Sequence, residues 1–326
     1  MSRGTRQRFP SNNGTHMTQT RLPTVIGLGE LLWDCFSDAR LPGGAPANVA
    51  FHASQMGCRG LVCSRVGCDP LGDELIEFLV RQGLETTLIQ RDPDHPTGTV
   101  TVDASRPDHP RFTIHENVAW DYLAFEPSLE QALGEAAAVC FGTLAQRSAA
   151  SRATIARAIR SVRPGCLVVY DVNLRQRFFQ REWVEASLRA SHIVKLNAEE
   201  TVELTRLLDL GSRCAQGGSG SYLEFARAIQ ERFGVHTVCV TRGEGGCLLV
   251  DPEVAIDAAG VKVQVVDAVG AGDAFTAALI AGRLCGWSLQ AQAAFANAVG
   301  ALVASRPGAM PVVRDEIAAW MSSHQG

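Results

Sequence analysis

The segment Asp267-Ala268-Val269-Gly270-Ala271-Gly272-Asp273 runs straight into the apolar stretch Ala274-Phe275-Thr276-Ala277-Ala278-Leu279-Ile280. Small residues ahead of a helix let backbone N–H groups converge on one point, and the positive end of the helix macrodipole favours an anion held there. A phosphate suits such a cradle. Asp273 then falls in the first helical turn beside the anion. Its carboxylate is expected to ionise at an ordinary pKa of about 3.9 and to be able to accept a proton from a substrate hydroxyl. The same pattern also serves plain helix initiation, since Asp is favoured in a first turn and glycine in loops.

A second glycine segment, Gly43-Gly44-Ala45-Pro46-Ala47-Asn48, stands at a loop-to-helix junction near the other end of the chain. Paired glycines let a ligand approach the backbone, and the Asn48 amide can both donate to and accept from a polyol. A tight turn with Asn in the following helix would look the same. Upstream, Glu30 and Asp34 follow an apolar run and could grip neighbouring hydroxyls, or be solvated loop acids.

The elements that must position these residues alternate between strand and helix. Val25-Ile26-Gly27-Leu28-Gly29 reads as a first buried strand. Pro46 to Met56 reads as a helix with Ala47, Ala50, Phe51 and Ser54 on one face and Gly57 as its stop. Leu61-Val62-Cys63 and a helix from Leu71 to Gln82, ended by Gly83, repeat the unit. Ala138–Phe141, Leu167–Tyr170, Ile193–Leu196 and Thr237–Val240 are predominantly apolar, as expected of parallel strands covered on both faces. The class is α/β, with ligands expected at the C-terminal ends of the strands. Thr97–Val102 and Arg111–His115, separated by Pro107 and Pro110, lack helical periodicity. With Leu32–Phe36 they are expected to form a small β flap, a natural lid or an edge hairpin without function. Gly211 to Gly220 reads as a mobile Gly/Ser-rich loop.

Composition narrows the function classes. The 326 residues carry 30 basic and 34 acidic side chains, a formal charge of -4 with no basic field for nucleic acid. No apolar run approaches the roughly eighteen residues a membrane span requires, and the polar first twenty residues lack a signal-peptide core. A soluble, cytoplasmic protein with small-molecule partners is expected. Residues 1–20 are expected to be a flexible arm preceding one domain over 21–326, with Met17 an alternative start. Ten cysteines are scattered without a C-x-x-C pair, and eight histidines without an H-x-x-x-H pair, which argues for reduced core thiols rather than a zinc site. A P-loop ATPase is excluded because no G-x-x-x-x-G-K-[ST] exists. A dinucleotide fold fits poorly, because Gly27-Leu28-Gly29 is followed by Leu32 where a third glycine belongs.

Taken together, the two glycine segments, in this order with α/β alternation between them, closely resemble the ribokinase-like (PfkB) carbohydrate kinases, fructokinase-type members above all. The resemblance runs from Val25 to about Ile317. Lys195-Leu196-Asn197-Ala198-Glu199-Glu200 is similar to the family's K-x-N-x-x-E element, and Thr241-Arg242-Gly243-Glu244-Gly245-Gly246 to its T-x-G-x-x-G turn. Asp171-Val172-Asn173-Leu174-Arg175 is similar to the D-x-N-x-R segment of fructokinases and 2-keto-3-deoxygluconate kinases. Arg306-Pro307-Gly308-Ala309-Met310-Pro311 is similar to a fructokinase-type R-P-G-A-x-P stretch. Ala268 departs from the Thr, Ser, Pro or Val usual there, which leaves a cradle of backbone N–H groups intact.

The resemblance implies a three-layer α/β/α fold, a mostly parallel sheet and a small β lid over about 32–42 and 96–117. It implies transfer of the ATP γ-phosphoryl group to a primary sugar hydroxyl, fructose first and 2-keto-3-deoxygluconate, ribose or a nucleoside as alternatives. A sugar sensor that binds without reacting is the alternative of another class. Asp273 is implied as base, with Gly270, Ala271 and Gly272 in the anion hole. Asp34, Gly43, Gly44, Asn48, Arg175 and Asp273 itself are implied at the sugar. Asn197, Thr241, Gly243, Gly246, Gly270, Gly272 and Asn297 are implied at ATP. Glu200 would hold Mg2+ through water, and Asp267, Val269 and Gly308 would surround a monovalent cation such as K+. Relatives also pair through the lid, so a homodimer is a further expectation.

Overall fold

The computed structural model describes residues 22–103, 111–215 and 217–323. The expected N-terminal arm, with Met17, and both Pro107 and Pro110 lie outside the described residues. The strands, in chain order, are β1 (Thr24–Leu28), β2 (Leu32–Cys35), β3 (Arg40–Gly43), β4 (Arg59–Gly67), β5 (Ile89–Asp92), β6 (Gly98–Asp103), β7 (Arg111–Ile114), β8 (Ala138–Phe141), β9 (Leu167–Asp171), β10 (Ile193–Asn197), β11 (Thr237–Thr241), β12 (Cys247–Val250) and β13 (Ala255–Ala258). The α-helices are α1 (Ala45–Gln55), α2 (Pro70–Arg81), α3 (Pro127–Glu135), α4 (Ala149–Arg160), α5 (Arg181–Ala190), α6 (Ala198–Leu208), α7 (Ser219–Phe233), α8 (Ala271–Leu284), α9 (Leu289–Ala304) and α10 (Arg314–Ser323).

Nine strands form one sheet in the order β13-β12-β11-β10-β9-β8-β1-β4-β5. All pairings from β11 to β5 are parallel, while β12 and β13 add antiparallel to that edge. Successive strand residues point to opposite faces, and here they enter different cores. Ile26, Val139, Val168, Val194 and Val238 pack with α3 to α7. Val25, Cys140, Val169, Ile193 and Cys239 pack with α1, α8, α9 and α10. Burial on both faces is why these strands read as continuous apolar runs. This is a ribokinase-like α/β fold, and a third cluster beneath α1 and α2 extends the core toward β4.

The flap is a second sheet of order β3-β2-β6-β7, in which β2 pairs antiparallel with β3 and parallel with β6. Its inward residues Leu32, Val100, Val102 and Ile114 join the core on the α3 to α7 side, while Phe36, Leu41 and Phe112 face outward. Helix α1 begins at Ala45, one residue ahead of the expected Pro46, and Ser54 is half-buried with its hydroxyl bonded to the Phe51 carbonyl. Helix α2 starts at Pro70 because Asp69 caps it, accepting from the Gly72 N–H at 2.8 Å. The expected loop over 211–220 is shorter: a 3-10 turn occupies Ser212–Ala215 and α7 already starts at Ser219. Glycine and serine composition alone does not reveal that start.

Candidate active site

The phosphate loop takes its shape from Gly270. Its φ of 77° is left-handed, and a Cβ there would lie 2.6 Å from the Ala309 carbonyl oxygen, so both conformation and space require glycine. It is the N-cap of α8 and makes no side-chain cap hydrogen bond. The amides of Gly272 and Asp273 therefore lie in the first turn, where no intrahelical acceptor exists. Ala271 differs from expectation: its N–H turns back to the Ala268 carbonyl at 3.3 Å. Asp267 braces the loop by accepting from Val269 N–H (2.9 Å) and from Gly308 N–H (3.0 Å), which brings the three residues named for a cation together.

Asp273 and Asn48 meet directly. The Asn48 amide donates to Asp273 Oδ2 at 2.7 Å across 225 positions of sequence, which fuses the two glycine segments into one site. Asp273 is half-buried, and its carboxyl does not keep the ordinary value expected from sequence. Withdrawal from water, reinforced by the Asp171 charge, raises it to about 6 against the pull of Lys195, Asn48 and Arg175.

Around Asn48 the glycines again make room. Gly44 has φ 117° and is packed against the Glu30 carbonyl, while a Cβ on Gly43 would sit 2.6 Å from Asp34 Oδ2. Glu30 is buried, with one oxygen accepting from Ala45 N–H at 3.3 Å and Oε2 without a partner. Burial pushes Glu30 up to about 7 and Asp34 up to about 6, and Arg175 opposes both. Arg175 thus faces Glu30, Asp34 and Asp273 from the exposed loop after β9. The next residues tie that loop to the flap, Gln176 donating to the Phe112 carbonyl at 2.6 Å and Arg177 pairing with Glu116 at 2.6 Å.

Of the residues expected at the nucleotide, Asn197, Thr241, Gly243 and Gly246 lie at or just past the C-terminal ends of neighbouring strands. Asn197 and Thr241 are register partners at the ends of β10 and β11. Asn197 caps α6 in a reciprocal box: its side chain accepts from Glu200 N–H at 2.9 Å and its own N–H donates to Glu200 Oε2 at 2.8 Å. Glu200 Oε1 accepts from Leu174 N–H at 2.7 Å. Each oxygen still has a lone pair for a water, which suits an outer-shell role toward a metal and leaves little for direct coordination. Gly243 and Gly246, both at positive φ, shape the turn after β11. Asn297 is turned inward on α9, its amide donating to the Ala258 and Ala259 carbonyls at 3.4 and 3.1 Å.

Two groups of residues received no role from sequence reasoning, although Lys195 and Asp171 open two of the motifs quoted above. His52 and Gln55 clamp the Ala309–Val313 segment to α1: His52 Nε2 lies 2.9 Å from the Ala309 carbonyl, and Gln55 bonds the Pro311 carbonyl and Val313 N–H. Burial holds His52 neutral, at about 4. Gln55 donates to His52 Nδ1 at 3.2 Å, so Nε2 carries the proton that reaches Ala309. The second group is Lys195, Asp171 and Thr276, hydrogen-bonded beneath Asp273. A lysine and an aspartate inside otherwise apolar strands were the available signal.

Fold and site together define a sugar kinase of the ribokinase-like class. Residues 20–315 match the pfkB family of carbohydrate kinases, and the chain belongs to that family. The uncharacterized sugar kinase PH1459 of Pyrococcus horikoshii is 32% identical over 311 residues, spanning 90% of this chain and 93% of the relative. Its structure in complex with ATP superposes with a TM-score of 0.73, covering 89% of this chain and 94% of that one. A fructokinase of Salmonella typhimurium is 30% identical over 309 residues, 88% of this chain and 96% of the relative. The fructokinase of Vibrio cholerae O395, bound to fructose, ADP and calcium, is 25% identical with a TM-score of 0.76 over 91% of this chain and 98% of its own. Among the described residues no helix is long and apolar enough to cross a membrane.

Proposed function

We propose that this kinase transfers the γ-phosphoryl group of ATP to a primary hydroxyl of fructose, with Asp273 as the base. The observation that carries this reading is the 2.7 Å hydrogen bond between Asn48 and Asp273, which joins the first glycine segment to the carboxylate of the second and supports one site built from both. The sugar would lie over Gly43, Gly44 and Asn48, with Asp34 accepting from its hydroxyls. Phosphoryl transfer asks mainly for alignment and for stabilisation of charge on the transferred group. The first-turn amides of α8 supply that charge stabilisation without reorganising, as a preformed anion hole. Asp273 takes the hydroxyl proton as the new O–P bond forms. The flap excludes water that would otherwise compete as acceptor.

ATP would lie along the ends of β10 and β11, past Asn197, Thr241, Gly243 and Gly246 toward Asn297, with its phosphates at Gly270 and Gly272. Magnesium would be held chiefly by those phosphates, with Glu200 reaching it through water, and it would neutralise phosphate charge. Asp267, Val269 and Gly308 would bound a monovalent-cation site beside the loop.

The charge balance supports a neutral sugar. Arg175 carries one positive charge among Glu30, Asp34 and Asp273, so hydroxyl donors suit this end of the cleft better than an added anion. The second reading is 2-keto-3-deoxygluconate, favoured by the exposure of Arg175, whose guanidinium is free to fork onto a carboxylate. An ADP-release screen over fructose, 2-keto-3-deoxygluconate, ribose, tagatose and adenosine, with and without potassium, decides between them. The highest kcat/KM is expected for fructose. Preference for the sugar acid would transfer the assignment to the second reading, and binding of sugar and ATP without ADP release would replace the kinase by a sensor.

A further inference from the structure

The ion pair under the phosphate loop is built differently from a structural salt bridge. Lys195 and Asp171 are register partners on β10 and β9, so both side chains leave the sheet on the face that carries α8. The ammonium lies 3.1 and 3.2 Å from the two Asp171 oxygens. Thr276, one turn into α8, donates to Asp171 Oδ2 at 2.7 Å and sits 3.0 Å from the Gly272 carbonyl. A Cβ on Gly272 would come within 3.2 Å of the Lys195 Nζ, so the cation is pressed against the loop backbone. We propose that Lys195, set by Asp171 and Thr276, is a positioning residue that supplies fixed positive charge beneath the loop, keeping Asp273 ionised and the Gly272 backbone aimed at the transferred phosphoryl group.

This inference rests on Asp273 being the base. The groups facing Asp273 come from every element around it: Asp171 from β9, Lys195 from β10, Cys140 from β8, Asn48 from α1, Glu30 after β1 and Arg175 after β9. The Cys140 thiol is raised well above its ordinary value by burial and stays neutral. Among the charged neighbours, Asp171 and Glu30 oppose ionisation of Asp273, while Lys195 and Arg175 favour it. Lys195 also faces Glu200, so three carboxylates hold it charged, above the ordinary lysine value, against its burial. Its positive charge is therefore secure at the pH at which the base must work.

The test is the pH profile of kcat/KM at saturating ATP for Lys195→Met, Lys195→Gln and the double variant Asp171→Asn/Lys195→Met, with thermal melts alongside. Either single variant should move the acid limb upward by about one pH unit or more, because Asp171 is left unopposed beside Asp273. The double variant leaves no lone buried charge, so it remains measurable if the single variants fail to fold. Its acid limb should return toward that of the parent, while its high-pH plateau stays about tenfold or more below it, because no cation backs the loop. A double variant with the parent's plateau, or a folded single variant with the parent's acid limb, overturns the inference. If Asp273→Asn itself retains full turnover, the base assignment fails first and takes the inference with it.

Discussion

At the scale of single residues, the proposed chemistry depends on a carboxylate kept in the wrong place for stability and the right place for proton transfer. Asp273 titrates at about 6 rather than near its ordinary 3.8 because burial and the Asp171 charge outweigh Lys195, Asn48 and Arg175. A base must be ionised to act, so kcat/KM should rise with pH through about 6 and level off above it, checked by a pH series with a coupled ADP assay. Asp273→Asn keeps the shape and removes the proposed base. Turnover should fall by about 10²–10⁴-fold, while ATP binding measured by calorimetry stays near that of the parent. The same shift has a second consequence. A raised carboxyl binds its proton more tightly in the folded state, so its contribution to stability is full below about pH 4 and is lost as pH rises through 6. Asp273→Asn should therefore raise the melting temperature at pH 7.5, by roughly 1–3 kcal/mol of stability. An unchanged or lower melting temperature would contradict the assigned environment.

Elements hold these residues through contacts that no local pattern announces. Helix α1 carries the sugar motif at its start and the His52–Gln55 clamp further along, and the clamp fixes the Ala309 carbonyl against which Gly270 is moulded. Sugar helix, phosphate loop and the Arg306–Pro311 stretch are in this way one mechanical unit. His52→Leu would leave the buried Ala309 carbonyl without its donor, costing about 1–3 kcal/mol, read by urea denaturation. Catalysis should suffer through kcat more than KM, because the loop that aims the anion hole loses its backing. On the opposite face, Arg147 shows the same logic at the flap: it pairs with Asp121 through two 2.8 Å bonds, holds the His115 carbonyl at 2.6 Å and stacks 3.9 Å over Trp120. That buried pair fixes where β7 leaves the flap. Arg147→Met, which strands Asp121, should destabilise by about 3–5 kcal/mol in the same measurement.

On the scale of the whole molecule, the sheet brings the ends of β1, β9, β10 and β11 to one edge, and α8 crosses that edge with its N-terminus at Asn48. β1 lies beside β8, and the connections from the two strands depart in opposite directions, so the cleft sits at the reversal expected of a ligand crevice. On the proposed reading sugar and nucleotide would each bind one half, and a ligand selective for the folded state stabilises it by about 2.7 kcal/mol at a hundred times its Kd. Fructose with a non-hydrolysable ATP analogue should therefore raise the melting temperature by more than the sum of the two separate shifts, if binding at one half prepares the other. Simple additivity of the two shifts would show that the halves do not communicate. The strands, the glycine stops at Gly57 and Gly83, the phosphate-loop helix and the order of the motifs were legible in the chain, because each rests on a local cause: β-branched runs, turn chemistry or an amphipathic period. So was the place of Asp273 in that helix's first turn, since a carboxylate in a glycine-led first turn is a local feature. The sequence alone did not reveal that Asn48 hydrogen-bonds that carboxylate, that burial raises Asp273 to about 6, that His52 holds the Ala309 carbonyl, or that Lys195 and Asp171 pair beneath the loop. Those properties depend on distances between residues far apart in the chain and on exclusion of water, and both exist only once the sheet and helices have packed.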